Sequence, residues 1–252
     1  MAILNEEQTM LRDAAKSWVS EKSPVTAFRK LRDSGNADGF DRAAWAEMVE
    51  MGWAGILIPE EFGGSGLDYL TLGLVLEETG RTLTASPLVS SALVATSALL
   101  LGGNDAQKKE WLTKFAGGKA IGTLALDEGP HHAPAKTALA ATRDGKGWKL
   151  SGKKSFVPDG GAADVIVVAA RTSGKPGDTN GITLFLVSGN APGLTRQKLN
   201  AVDSRGAANL TFENVSVGAD AVLGTVDHGF SVLDSVLDRA RAGLAAEMLG
   251  AA

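Results

Sequence analysis

The chain has 252 residues, 44% of them hydrophobic, with 25 basic against 29 acidic side chains, a net charge of −4 and no cysteine. That length and apolar content can fill the cores of two modest domains, and the mixed charge has no basic block for nucleic acid or an anionic membrane. Without cysteine there is no disulfide framework, thiolate nucleophile or sulfur-ligated metal, which fits a reducing cytoplasm. The opening MAILNEEQTM is acidic and unlike a signal peptide, and the apolar run Pro87 to Leu101 is broken by Ser90, Ser91, Thr96 and Ser97 and too short for a bilayer. The expectation is a soluble cytoplasmic protein with no nucleic-acid or membrane partner.

The first part reads as helices. Asn5 and Gln8 form a capping pair ahead of Leu11, Ala14, Ala15, Trp18 and Val19 at helical spacing. Ser34 to Gly39 is loop by composition, and Asp41 caps a second helix carrying Trp45, Met48 and Val49 up to Gly52. A glycine-dense turn, Glu60 to Asp68, ends on a capping aspartate for a helix with Leu70, Leu74 and Val75 that stops at Gly80. Ser86 followed by Pro87 predicts a buried helix over Leu88 to Leu101, and Asn104 with Gln107 caps another that carries Trp111, Leu112 and Phe115.

After Gly117-Gly118 the period changes from helical to alternating. Strands are expected at Ile121 to Leu126, Thr137 to Thr142, Trp148 to Leu150, Ser155 to Val157, Val165 to Ala170, Ile182 to Val187, Leu194 to Leu199 and Asn209 to Phe212. Glycine-rich connections between them suit antiparallel hairpins in a compact barrel or sandwich. From Asp227 a helical stripe returns with Phe230, Leu233, Leu237, Ala240, Leu244 and Met248. No later helix follows to cover it, so it is expected to pack on the earlier domains, on another subunit or within a domain that is missing here. The domains so drawn are 1–119, 120–224 and 225–252.

Chemical motifs are mostly absent. There is no G-x-G-x-x-G, Walker loop or G-x-S-x-G elbow. His131 and His132, adjacent on an extended segment, point opposite ways and cannot easily share a metal, so no metal site is expected and a solvated loop pair is the simplest reading, with a general base as the alternative. Asp238 and Arg241 are spaced for a local helix ion pair. The most suggestive stretch runs from Trp148 to Arg171: an alternating run ends at Phe156, then Pro158 removes a ladder donor, then Asp159-Gly160-Gly161 can turn sharply. A small molecule is expected against Phe156, Val157 and Pro158.

Several phrases occur in the order of a known family: Ile58-Pro59-Glu60-Glu61-Phe62-Gly63-Gly64-Ser65-Gly66, Glu77-Glu78, Gly103 to Lys109, Trp148 to Lys154, Asp203-Ser204-Arg205-Gly206, Phe212-Glu213-Asn214-Val215 and Gly229-Phe230. With them the chain resembles the acyl-CoA dehydrogenases across nearly its whole length. The resemblance implies an α+β multidomain fold: an all-α N-terminal domain, a central antiparallel β-barrel and the first helix of a C-terminal helical bundle. It implies non-covalent FAD, oxidation of an acyl-CoA thioester between its α and β carbons, electron-transfer flavoprotein as electron acceptor, and a homo- or hetero-tetramer. By the same resemblance, FAD contacts Leu126, Asp127, Phe156, Val157 and Pro158, and Asp238 and Arg241 line the acyl-CoA region. Pro158 stands where many members have a hydroxyl for the flavin, and Leu126 to His132 replaces a small-residue turn. The family's base lies either beyond this chain or at the position of Ala240, and Glu247 is about 10 Å further along the helix, so no catalytic residue is assigned. The alternatives are a non-catalytic subunit of a hetero-oligomer and a related flavin monooxygenase or oxidase.

Overall fold

The computed structural model describes residues 4–203 and 205–252; residues 1–3 and Ser204, which belongs to one of the family-like phrases, lie outside the described residues. Helix α1 (Glu6–Lys22) starts on the expected capping box, with the Gln8 N–H donating to Asn5 Oδ1 at 2.7 Å. Asp41 caps α3 (Arg42–Glu50) through the Ala43 N–H, and Asp68 caps α4 (Tyr69–Arg81) through the Thr71 N–H. Between α1 and α3 stands α2 (Val25–Asp33), which sequence reading missed. Its capping residue Pro24 offers no side-chain bond and no residue is fully buried, but Val25, Phe28 and Leu31 do recur at helical spacing, a signal the sequence reading passed over.

The buried segment after Pro87 is not one regular helix. Leu88–Ala95 is a π-helical stretch that continues as α5 (Thr96–Gly102), and Pro87 occupies the cap position itself without a side-chain bond. The wide turn lets Thr96 Oγ1 donate to the Ser91 carbonyl five residues back, while the Ser91 hydroxyl accepts the Gly122 N–H at 3.0 Å. Such π turns cluster at functional sites, and this one carries Val89, Ser90 and Val94 into the cavity described below. Helix α6 (Asp105–Ala116) has the predicted Asn104/Gln107 box, and Gln107 Nε2 also donates to the Asp220 and Val222 carbonyls, tying the helices to the sheet.

The strands are β1 (Gly122–Ala125), β2 (Ala140–Asp144), β3 (Gly147–Val157), β4 (Val165–Arg171), β5 (Ile182–Ser188), β6 (Leu194–Lys198), β7 (Ala208–Val217) and β8 (Val222–Leu223). They form one eight-stranded sheet in the order β6-β7-β3-β2-β4-β5-β8, with β1 beside β4. Two expectations need correction. The sheet is not a closed barrel, and it is not wholly antiparallel, since β1 runs parallel to β4 from Gly122↔Val165 to Ala125↔Val168. The open edges are β6 and β8, which no ladder joins among the described residues; β1 takes most of one edge of β4 and leaves β2 a single pairing there, Ala140↔Arg171, also parallel. The Trp148 and Ser155 strands are also one strand, β3, whose register shifts on either side of Gly152 and Lys154.

Strand β4 is buried throughout because its two faces serve two cores. Val165, Val167 and Ala169 pack with the helices, whereas Ile166, Val168 and Ala170 pack inside the sheet with Trp148, Leu150 and Phe185. The last helix, α7 (Gly229–Ala251), returns to the helical layer through Leu233, Val236 and Leu237. It meets α4 at backbone distance: a Cβ added to Gly80 would lie 2.1 Å from the Glu247 carbonyl oxygen. The expected stripe therefore splits. Its first half is buried on the earlier elements, while Leu244 and Met248 remain 44% and 63% exposed. Among the described residues no helix is long and apolar enough to cross a membrane.

Candidate functional site

A cavity of about 400 Å³ lies where three elements converge. The π-helical stretch contributes Val89, Ser90 and Val94; β1 and the end of β3 contribute Thr123, Leu126, Asp127 and Ser155 to Pro158; α7 contributes Leu237, Ala240, Arg241 and Leu244. Of the residues singled out from the sequence, Leu126, Asp127, Phe156, Val157, Pro158 and Arg241 all line it. Asp238 does not; it is solvent-exposed and accepts a 2.7 Å bond from Arg241 Nη1.

The sheet side is held by unusual backbone. Phe156 sits at φ 51° with its N–H donated to Asn209 Oδ1 at 3.0 Å, and its ring stays 57% exposed toward the cavity. A positive φ is costly for a bulky residue and persists only where neighbours enforce it. The Pro158 carbonyl accepts from Thr123 Oγ1 at 2.5 Å, and proline has no N–H, so position 158 offers the cavity no donor.

Beneath Leu126 and Asp127 is a buried ion pair that sequence reading did not identify. Lys154 is completely buried, and its Nζ donates to Glu128 Oε1 at 2.7 Å and to the Leu126 carbonyl at 2.8 Å. Burial, only partly offset by Glu128, lowers the Lys154 ammonium to about 8. Glu128 in turn accepts the Ala138 and Leu139 N–H groups, closing the loop from 127 to 139 onto β3. An inward lysine on an alternating strand looks like any surface lysine, so only its odd position in the pattern could have flagged it.

A second polar group lies behind Pro158. Asp159, at φ 50°, accepts the Ser90 hydroxyl, and burial raises its carboxyl to about 6 against the opposing effects of Ser90 and the Arg205 charge. Arg205 donates to Glu247 Oε1 on α7 at 2.6 Å, so Glu247 is engaged away from the cavity. A carboxyl whose native pKa is raised binds its proton more tightly when folded, so its contribution to stability falls as pH rises from about 4 to about 6. Asp159→Asn should flatten that fall, seen as a smaller drop in Tm between pH 4 and pH 7 than in the wild type. The two histidines are divided: His132 lines the cavity with Nδ1 3.0 Å from Asp127 Oδ2, and His131 lines an adjoining one with Lys136.

The geometry can be set beside known proteins. Residues 5–119 match the N-terminal domain model of the acyl-CoA dehydrogenases, and residues 127–215 match the middle domain model. The chain is 32% identical to the short-chain specific acyl-CoA dehydrogenase, mitochondrial, of Bos taurus, over 99% of its own length and 61% of that protein's. Butyryl-CoA dehydrogenase of Megasphaera elsdenii superposes with a TM-score of 0.89 at 27% identity, covering 99% of this chain and 67% of that one. A chain in a structure reported for the electron transferring flavoprotein of Acidaminococcus fermentans gives 0.90 at 28% identity, covering 99% and 66%. This chain thus spans about three-fifths of the length of curated relatives such as the bovine enzyme, at 61%. With two successive domain models matched in order and near-complete coverage by relatives, it belongs to the acyl-CoA dehydrogenase family.

Proposed function

We propose that this chain supplies the flavin wall and one side of the thioester site of an acyl-CoA dehydrogenase, acting in the α,β-dehydrogenation of an acyl-CoA. The observation that carries the reading is the apolar cavity in which the two sheet segments face α7. In this reading FAD rests on Leu126, Asp127, Phe156, Val157 and Pro158, and the acyl-CoA lies toward Arg241, which Asp238 holds in place. The residues fit a flat ring system: Phe156, Val157 and Leu126 give apolar walls, the volume suits a cofactor-sized ligand, and Ser155 with the neighbouring backbone offers polar atoms despite Pro158. When bound, FAD supplies the acceptor for the β-hydride. The chain's own residues bind, orient and exclude water, so that the thioester is held at reacting distance. Electron transferring flavoprotein is the proposed electron acceptor, and the exposed Leu244, Met248 and Leu249 are the proposed assembly surface of a homo- or hetero-tetramer.

The test is spectroscopic. The purified protein with FAD should be yellow and bleach anaerobically on adding a short acyl-CoA; a protein that takes up no FAD overturns the reading. Phe156→Ala should weaken FAD at least tenfold in a fluorescence titration while leaving Tm nearly unchanged, because the exposed ring contributes more to the ligand than to the core. A second reading, a non-catalytic subunit of a hetero-oligomer, is favoured by Pro158 and by Ala240 facing the cavity beside Arg241. It predicts flavin uptake without bleaching.

A further inference from the structure

A second cavity, of about 450 Å³, lies between the end of α1, α2, the start of α3 and the segment after α4, and shares no lining residue with the first. Its apolar wall is Ala27, Phe28 and Leu31 on α2, faced by Ala44 on α3 and by Ala85. This accounts for the incomplete burial of α2, whose apolar side chains face the cavity and not a packed core. Side chains that border open space forgo dispersion contacts, which the apolar body of a ligand can supply. The polar lining is of a different kind. Thr84 Oγ1 donates to Ser23 Oγ at 2.9 Å, and a hydroxyl has one proton, so the 2.8 Å contact between Thr82 and Thr84 runs from Thr82. The chain of hydroxyls ends on the Ser23 O–H, which has no acceptor among the described residues although Ser23 is only 8% exposed. Ser23 and Thr84 both line the cavity, and an unspent buried donor is costly. Lys22 and Lys30 add two cations to the lining, and Lys22 lies 3.9 Å from Glu47, at the limit of an ion pair. Asp41 is the one carboxylate among the described lining residues, and it is spent on the α3 N-terminus, where its Oδ1 accepts the Ala43 N–H at 2.8 Å.

We propose that this cavity binds a small carboxylate with an aliphatic body, with the body against α2 and the carboxylate accepting from the Ser23 hydroxyl and the Lys22 and Lys30 ammonium groups. Each part of the lining selects for one part of that ligand. Two cations against one committed aspartate favour an anion, and the spare Ser23 proton needs an acceptor oxygen. The five apolar side chains disfavour a fully hydrated anion such as phosphate, which would have to shed water without replacement bonds on that side. The volume is that of a small-molecule site. Binding completes the packing of α2, so the bound state holds this helix more firmly against α1 and α3. The site is separate from the flavin and thioester reading above and does not depend on it.

The experiment titrates the whole chain, in the presence of FAD, with octanoate, octanol and inorganic phosphate by calorimetry. Octanoate should bind with a Kd below about 1 mM, octanol at least about tenfold more weakly for want of the charged head, and phosphate not measurably. Amide exchange over Val25–Asp33 should slow when octanoate is bound. Lys22→Gln together with Lys30→Gln should weaken octanoate about tenfold and leave octanol unchanged. Ala27→Phe, which puts a ring into the space, should abolish binding of both without lowering Tm. The two lysine side chains are exposed, so their variants carry the test where Ala27→Phe does not fold. Octanoate binding that survives Ala27→Phe, or that is insensitive to the lysine variants, belongs to another cavity and overturns the proposal. Equal affinities for octanoate and octanol, phosphate binding as tightly as octanoate, or no octanoate binding at all overturn it as well.

Discussion

Glu128→Ala is expected to destabilise the protein by about 3 to 5 kcal/mol, the usual cost of stripping one partner from a buried ion pair. Lys154 has no solvent to retreat to, since it is fully buried, and its remaining partner would be the Leu126 carbonyl. The same substitution frees the Ala138 and Leu139 N–H groups that Glu128 now accepts. Urea unfolding would measure the loss, and adding Lys154→Met should recover part of it, because an apolar side chain of similar length carries no charge to strand. The sign of the pH effect follows from the lowered ammonium. Below about 8 the folded and unfolded chains both hold the proton and the burial penalty stands in full; above it the unfolded chain holds the proton more tightly. Wild type should therefore gain stability relative to Lys154→Met between about pH 8 and the free-lysine value of about 10.4. A flat difference across that window would show that the ammonium is not buried as described.

Gly80→Ala tests the seam between α4 and α7, where two opposing terms compete. Helix propensity favours alanine over glycine by about 1 kcal/mol. Against it, the new Cβ would lie 2.1 Å from the Glu247 carbonyl oxygen and 2.9 Å from its carbon, atoms of a helix backbone that cannot swing aside. Overpacking costs about 1 to 3 kcal/mol, and a backbone clash belongs at the upper end, so a net loss of about 2 kcal/mol is expected. Gly73→Ala on the same helix is the control. Its Cβ would meet only the Ala246 Cβ, at 3.8 Å, so propensity should win and the variant should be stabilised by up to about 1 kcal/mol. Thermal melts of the pair with opposite shifts would establish that close approach, and not glycine flexibility, is what α4 needs at position 80.

The helical layer was legible because its caps are written in side chains: Asn5 with Gln8, Asp41, Asp68 and Asn104 with Gln107 all do what their types suggest. Where the signal is steric and not chemical, the reading failed. The π turn after Pro87 arises from packing and from the Ser91 hydroxyl reaching β1, neither of which has a periodicity to detect. Hairpin logic assumed that neighbours in sequence pair, so it could not foresee β1 running parallel along β4. At the candidate site, the segments at 126 and 156 and Arg241 were reachable through resemblance, and the structure brings them to one cavity. Ser90 and Lys154 were not singled out, and His132 was read only as half of a solvated loop pair or a general base, because the partners Asp159, Glu128 and Asp127 are recognised only after folding fixes which side chains meet.

Strand β4 has no watery side, and that changes how its alignment is enforced. In a half-exposed strand, slipping by one residue drives apolar side chains into solvent, and polarity itself polices the error. Here a slip would merely trade Val165, Val167 and Ala169 for Ile166, Val168 and Ala170, apolar sets of nearly equal bulk. The strand must be located by its ends. At one, Asp164 accepts the Ile121 N–H with its carboxylate and the Gly189 N–H with its carbonyl; at the other, the Arg171 guanidinium reaches the carbonyls of Ala135, Thr137, Asp178 and Asn180. Two polar residues at the margins thus act as the pegs on which the chain's most apolar strand is hung.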